Sequence, residues 1–323
     1  MRIREKNWST PALVYLAAAL VMAYASFRLP HLLPGDFVTA MYAGSDVTLN
    51  AEQEAELRAF YRDTQGFPGY LRNLATLEWG YSHAFMAPVS QLFFQALPWT
   101  LLLMGTAHVL STLLGFVLGV EAGWRRGSLM EKAGVGMMTV LEGVPEICSG
   151  VLLLLVFALT LGWFPAAGAQ MAYADHTLGQ WLADVVHHLT LPLATLILAY
   201  LPGNFLLARA GMVMVLERFF VVTARAKGLP PVRVRYAHAA RNALLPMVTR
   251  FGLRFAFMIT GALVVETIFS YPGLGTLLFN AIAMRDLPLV QGIVLFSSIM
   301  VLVVNLGMEY LYHLLDPRVG HAS

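Results

Sequence analysis

The chain has 323 residues, 58% hydrophobic and only 12% charged, with a mean hydropathy of +0.66 and a net charge of +2. A soluble domain carries about 25% charged residues, so the composition excludes one. Several apolar runs reach the roughly 20 residues that a helix needs to cross a bilayer, which makes this a polytopic helical membrane protein. Its one cysteine, Cys148, lies in an apolar run and leaves no intrachain disulfide and no cysteine-based metal site.

Arg2, Arg4 and Lys6 precede an apolar run at about 11–27, read as a retained first span rather than a cleaved signal peptide. Residues 30–95 are mixed in character, and an N-terminal unit is drawn over 1–95, with a membrane core over 96–316. Asn50 followed by Gln53, with Leu57, Phe60 and Tyr61 at helical spacing, predicts an amphipathic helix at about 50–63. Span two covers about 97–123 and carries Gly115, Gly119 and Gly123 at four-residue intervals, the spacing of a close helix-packing seam. A tight basic loop, Trp124 to Ser128, leads to span three at about 134–161. His187 and His188 open span four, which ends near Leu207; adjacent histidines face different sides of a helix and make a poor metal site. Spans five and six follow at about 243–265 and 290–311.

Between spans four and five lies a basic, water-compatible island at about 217–242. A helix reaching Lys227 ends at Gly228, suited to a left-handed cap, and Leu229-Pro230-Pro231 prevents its continuation. Proline is tolerated in a first helical turn, so a second helix over 231–242 carries Arg233, Arg235, His238, Arg241 and Asn242. The result is a helix-turn-helix elbow exposed to water. Six spans put both termini on one side. Of the 21 Lys and Arg residues, 14 fall in segments on that side, five on the other and two within span five, which orients termini and elbow to the cytoplasm.

The elbow resembles the "EAA" loop of ATP-binding-cassette (ABC) importer permeases. It is most similar to that of the dipeptide/oligopeptide/nickel subfamily, which runs roughly T-A-R-A-K-G, nine residues, then H-A-x-R-N-A-L-L-P. Thr223, Ala224, Arg225, Ala226, Lys227 and Gly228, then His238 to Pro246, fit at that spacing. The resemblance implies an all-α, six-span type I ABC importer transmembrane domain in the inner membrane, with the elbow as a coupling helix seated on an ATPase subunit. It also implies a second homologous permease subunit, two ATPase subunits that bind ATP and Mg, an extracytoplasmic solute-binding protein, and a cargo of di- or oligopeptides, nickel or a metal chelate.

The chain contains no Gly-Lys-[Ser/Thr] triplet, so no P-loop, and no His-Glu-x-x-His or Gly-x-Ser-x-Gly. It therefore reads as a path without its own catalysis, cofactor or nucleic-acid partner. The alternatives, an ion-coupled secondary transporter and an intramembrane enzyme, lack respectively paired broken helices or repeats and a recognisable nucleophile. One feature is independent of the resemblance. Glu142 and Glu146 in span three, and Arg250 and Arg254 in span five, are each four apart, hence on one helical face. At about 1.5 Å per residue the first of each pair lies roughly 12–15 Å from the cytoplasmic entry and the second roughly 18–21 Å. Unpaired charge at that depth is expensive, so the four either form a two-rung ionic ladder or present arginines to a substrate carboxylate.

Overall fold

The computed structural model describes residues 9–32, 50, 66–82, 84–171, 177–256 and 263–315; the amphipathic helix expected at 50–63 lies outside them except for Asn50. The chain divides into two compact units, residues 1–97 with 276–323, and residues 98–275.

In the first unit, α1 (Ser9–Leu32) and α2 (Gly66–Ala75) precede a two-stranded antiparallel hairpin, β1 (Tyr81–Ser82) with β2 (Ala87–Pro88), then the first turns of α3 (Val89–Trp124). The unit closes with the last helix among the described residues, which runs from Leu287 to Leu315 and packs against α1. Asp286 caps that helix through Leu289 N (3.2 Å), and its other oxygen accepts from Ser82 Oγ (2.6 Å) and Ala84 N (3.0 Å). One carboxylate thus satisfies an orphan helix donor and latches the hairpin. Gln291 Nε2 donates to Ser26 O at 2.7 Å, tying the helix to α1.

The second unit contains the remainder of α3, then α4 (Leu129–Glu142), α5 (Glu146–Leu153, continuing as π-helix over Leu154–Thr160) and α6 (Leu178–Leu216). These lead to α7 (Phe219–Ala226), α8 (Pro231–Arg233, continuing as π-helix over Val234–Ala240), α9 (Arg241–Ala256) and α10 (Leu263–Ile268). The long helix α6 is the axis on which the others pack. The expected glycine seam meets it. A Cβ at Gly115 would lie 2.6 Å from Asn204 Cβ, one at Gly119 2.7 Å from Ala208 Cβ, and one at Gly123 2.8 Å from Met212 Cβ. Only hydrogen fits there, and the backbones approach accordingly.

Two expectations are corrected. Span four does not begin at His187 or end near Leu207: α6 runs from Leu178 to Leu216, through both Pro192 and Pro202. In an apolar core, unwinding costs several unpaired backbone groups where a proline costs one hydrogen bond. Span three is not one straight helix. Pro145 disfavours the α conformation at Val144, and α4 therefore stops at Glu142, with α5 restarting at Glu146 across a bend of 94°. Glu142 and Glu146 consequently stand on two different helices.

Among the described residues, α3, α6 and Leu287–Tyr310 are long and apolar enough to cross a membrane, and the bent pair α4–α5 is a fourth candidate. Span five as expected crosses residues 257–262, outside those described. The core of the second unit includes Leu103, Met104, Leu189, Leu196, Phe269 and Tyr271.

Candidate functional site

The elbow is built from local chemistry. Gly228 N donates to Arg225 O (2.9 Å) and Leu229 N to Ala224 O (3.4 Å), with Gly228 at φ +72°: a Schellman cap, with glycine where a side chain would be strained. Pro230 is extended and Pro231 opens α8. From there the backbone runs as helix through the π segment to Ala256, so the expected boundary between elbow and span five at residue 242 is absent.

One face of the elbow is buried. Val221, Ala224, Val234, Ala239 and Ala240 form a core with Val120 of α3 and Met212 of α6. At its edge Glu121 accepts from Tyr236 Oη at 2.7 Å and is paired with Arg235. The Trp124 ring carries two guanidiniums, Arg225 at 4.9 Å and Arg235 at 5.0 Å. Burial pushes the Tyr236 phenol above its usual pKa, and its hydrogen bond to Glu121 adds to the shift. Arg235 was expected on an elbow exposed to water, but its side chain is only 15% exposed and is spent inside the chain. The opposite face is open. Phe219 is 92% exposed, and Val222, Thr223, Ala226, Lys227, Val232, Arg233, Arg241 and Asn242 lie at the surface, with His238 half-buried. That face combines apolar side chains with unspent cations.

The four charges expected within the membrane converge on α6. Arg250 Nη1 donates to Gly203 O at 3.2 Å, and a Cβ at Gly203 would collide with both the Arg250 guanidinium and Glu142 Oε1. One turn away, the Arg254 guanidinium lies 5.0 Å over the Tyr200 ring, whose centroid is 5.2 Å from that of the tilted His108 ring of α3. Glu146 is within electrostatic reach of Tyr200, and Arg254 within that of Glu142 and Arg250. Glutamates and arginines therefore share one side of α6. No pair of them approaches within the 4.0 Å of an ion pair among the described residues.

Three polar ties had no mark in the sequence beyond their residue types. Glu131 pairs with Arg209 and accepts from Gly127 N at 3.1 Å, pinning the basic loop to α6. Glu121 is the acid that holds the elbow. Glu266, fully buried, accepts from Thr100 Oγ1 (2.6 Å) and Gly275 N (2.7 Å), while Thr100 Oγ1 accepts from Leu274 N (2.8 Å). The Pro272–Gly275 turn is thereby folded around a carboxylate; a Cβ at Gly273 would strike it. His187 and His188 bond to Trp163 O (2.9 Å) and Asp184 O (3.0 Å), and no group of three metal-ligating side chains occurs among the described residues.

Residues 111–321 match the family described as binding-protein-dependent transport system inner membrane component. The chain is 37% identical over 319 residues to the di/tripeptide transport system permease protein DppB of Pseudomonas aeruginosa, covering 92% of this chain and 93% of that one. It is 32% identical to the oligopeptide transport system permease protein AppB of Bacillus subtilis, over 99% and 98% of the two chains. A putative peptide transport system permease protein of Brucella abortus is 34% identical over 94% and 95%.

Proposed function

We propose, from the premise that the chain belongs to the family of binding-protein-dependent transport inner-membrane components, that this ABC importer permease carries short peptides. The peptide cargo rests on the relatives, whose names specify di- and tripeptides and oligopeptides. The single observation that carries the mechanism is the elbow's two-faced construction: one face fused to α3 and α6, the other apolar, basic and open.

An ATPase subunit docks on that open face, with Phe219 and Val232 entering a groove and Lys227, Arg233 and Arg241 meeting carboxylates. The assembly pairs this chain with a second permease subunit, two ATPases holding ATP and Mg, and a solute-binding protein that delivers cargo. The elbow and both termini lie in the cytoplasm. Closure of the ATPases moves the elbow as a rigid body. The unbroken run from Pro231 to Ala256 is suited to pass that movement into the fifth span, and the Glu121–Arg235 tie to pass it into α3. Switching between outward-open and inward-open paths is then a packing transition between two discrete states.

The test is uptake into proteoliposomes of the assembled transporter, with the binding protein titrated separately against peptides and against nickel. Gly228→Val should insert into the membrane yet abolish uptake, because a β-branched residue resists φ +72° and misplaces α8. Normal ATPase association and uptake in that variant refute the docking assignment. A binding protein that holds nickel and no peptide refutes the cargo.

A further inference from the structure

The charges around Gly203 and Tyr200 are unusual in what they leave undone. A structural ladder spends its charges on each other, because a charge stranded in lipid is expensive unless paired or hydrogen-bonded. Here no glutamate of the set reaches an arginine of the set within 4.0 Å, although both signs line one side of α6. Arg254 Nη1 is closed off from solvent and makes no hydrogen bond, and the same holds for Nε2 of His108, whose ring also lies beside Tyr200. Glu146 stands in the first turn of α5, directly after the break at Gly143–Pro145. A broken helix at membrane depth leaves backbone groups open and is tolerated where it lines a cavity or is buried in protein. Gly203 provides the room: any larger residue would occupy the space where the Arg250 guanidinium and the Glu142 carboxylate meet the helix. The arrangement has opposite charges gathered on one helix without an ion pair, unspent donors, an aromatic face and an interrupted helix.

We propose that this cluster is a binding station for a zwitterionic ligand within the membrane. Arg254, with Arg250 anchored behind it on Gly203 O, takes the carboxylate end of a short peptide, and Glu146 takes its ammonium end. The Tyr200 ring carries the Arg254 guanidinium on its face, and an arriving carboxylate supplies the acceptor that Nη1 lacks. The inference rests on the peptide reading above and goes beyond it: selectivity for free peptide termini is exercised in the membrane subunit as well as in the binding protein.

The experiment uses the assembled transporter in proteoliposomes with a short peptide and its C-terminal amide, chosen so that the binding protein holds both. Arg254→Gln should lower uptake of the free peptide about tenfold, the worth of one charged hydrogen bond, while changing uptake of the amide less than twofold. Arg254→Lys should retain part of the discrimination, and the amount of assembled complex should not change. Equal loss of both peptides overturns the station. So does recovery of free-peptide uptake in the double variant Glu146→Gln with Arg254→Gln, since only a structural pair is repaired by removing both charges. A wild-type complex that moves neither peptide overturns the cargo reading and this inference with it, whereas wild-type transport alongside an Arg254→Gln complex that takes up free peptide and amide in the wild-type proportion overturns this inference alone.

Discussion

Gly203 and Gly136 are both helical glycines, yet a methyl group has opposite consequences at the two. At Gly203 it would collide with Arg250 and Glu142; at Gly136 nothing lies within 4 Å. Gly203→Ala should therefore cost about 1–3 kcal/mol through overpacking and reduce uptake, whereas Gly136→Ala should be neutral or gain up to about 1 kcal/mol of helix propensity. Thermal unfolding of the two purified variants separates them, and equal midpoints would show that the Arg250–Gly203 notch is not packed as described. Thr100 gives a second contrast. Its hydroxyl donates to buried Glu266 and accepts from Leu274 N, so Thr100→Val removes both bonds at nearly constant shape. A buried polar group left short of a partner costs about 1–3 kcal/mol, and Thr100→Ser, which keeps the hydroxyl, should recover most of it. If Thr100→Val and Thr100→Ser unfold alike, the hydroxyl contributes nothing and Glu266 is held by other contacts.

At the scale of elements, what the sequence disclosed and what it hid divide by sequence separation. The elbow was legible because its signals are neighbours: a cap requires one residue with positive φ at Gly228, and two prolines then prevent continuation. The glycine seam was legible for the same reason, since a four-residue repeat on one helix marks a face whatever packs on it. Arg235 was misjudged because its acid, Glu121, is 114 positions away and nothing local distinguishes a spent guanidinium from a free one. The break in span three was missed because a hydropathy run is insensitive to backbone angles; Pro145 decides the geometry while leaving the run apolar. The seam yields a test. At Gly119 a side chain would face Phe205 O and Ala208 Cβ at 2.5 and 2.7 Å, and backbone cannot yield as a flexible side chain does. Gly119→Leu should force α3 from α6 and abolish stable expression, while Gly162→Leu, in open space, should lose only what its φ of +63° imposes. Equal yields of the two proteins in membranes would contradict the close approach.

At the scale of the whole molecule, an elbow with two faces predicts two separable failures. The open face meets the ATPase, and the closed face transmits what the ATPase does. Phe219, almost wholly exposed, lies on the first and touches none of the elbow's polar ties. Phe219→Asp should therefore weaken ATPase association without disturbing the fold. Glu121 lies on the second, gathering Arg235, Tyr236 and, at 3.8 Å, Arg125 at the end of α3. Glu121→Gln keeps the shape but removes the charge that holds two arginines, and leaves Arg235 on the Trp124 ring without its counter-ion. The elbow then docks normally but is loosely joined to the helix it must move. The expected outcome is unchanged co-purification of the ATPase, ATP hydrolysis at or above the wild-type rate, and uptake per ATP reduced several-fold. Hydrolysis and uptake falling in the same proportion would show instead that Glu121 serves assembly, and that the force passes from Pro231 along the helix into the fifth span without help from α3.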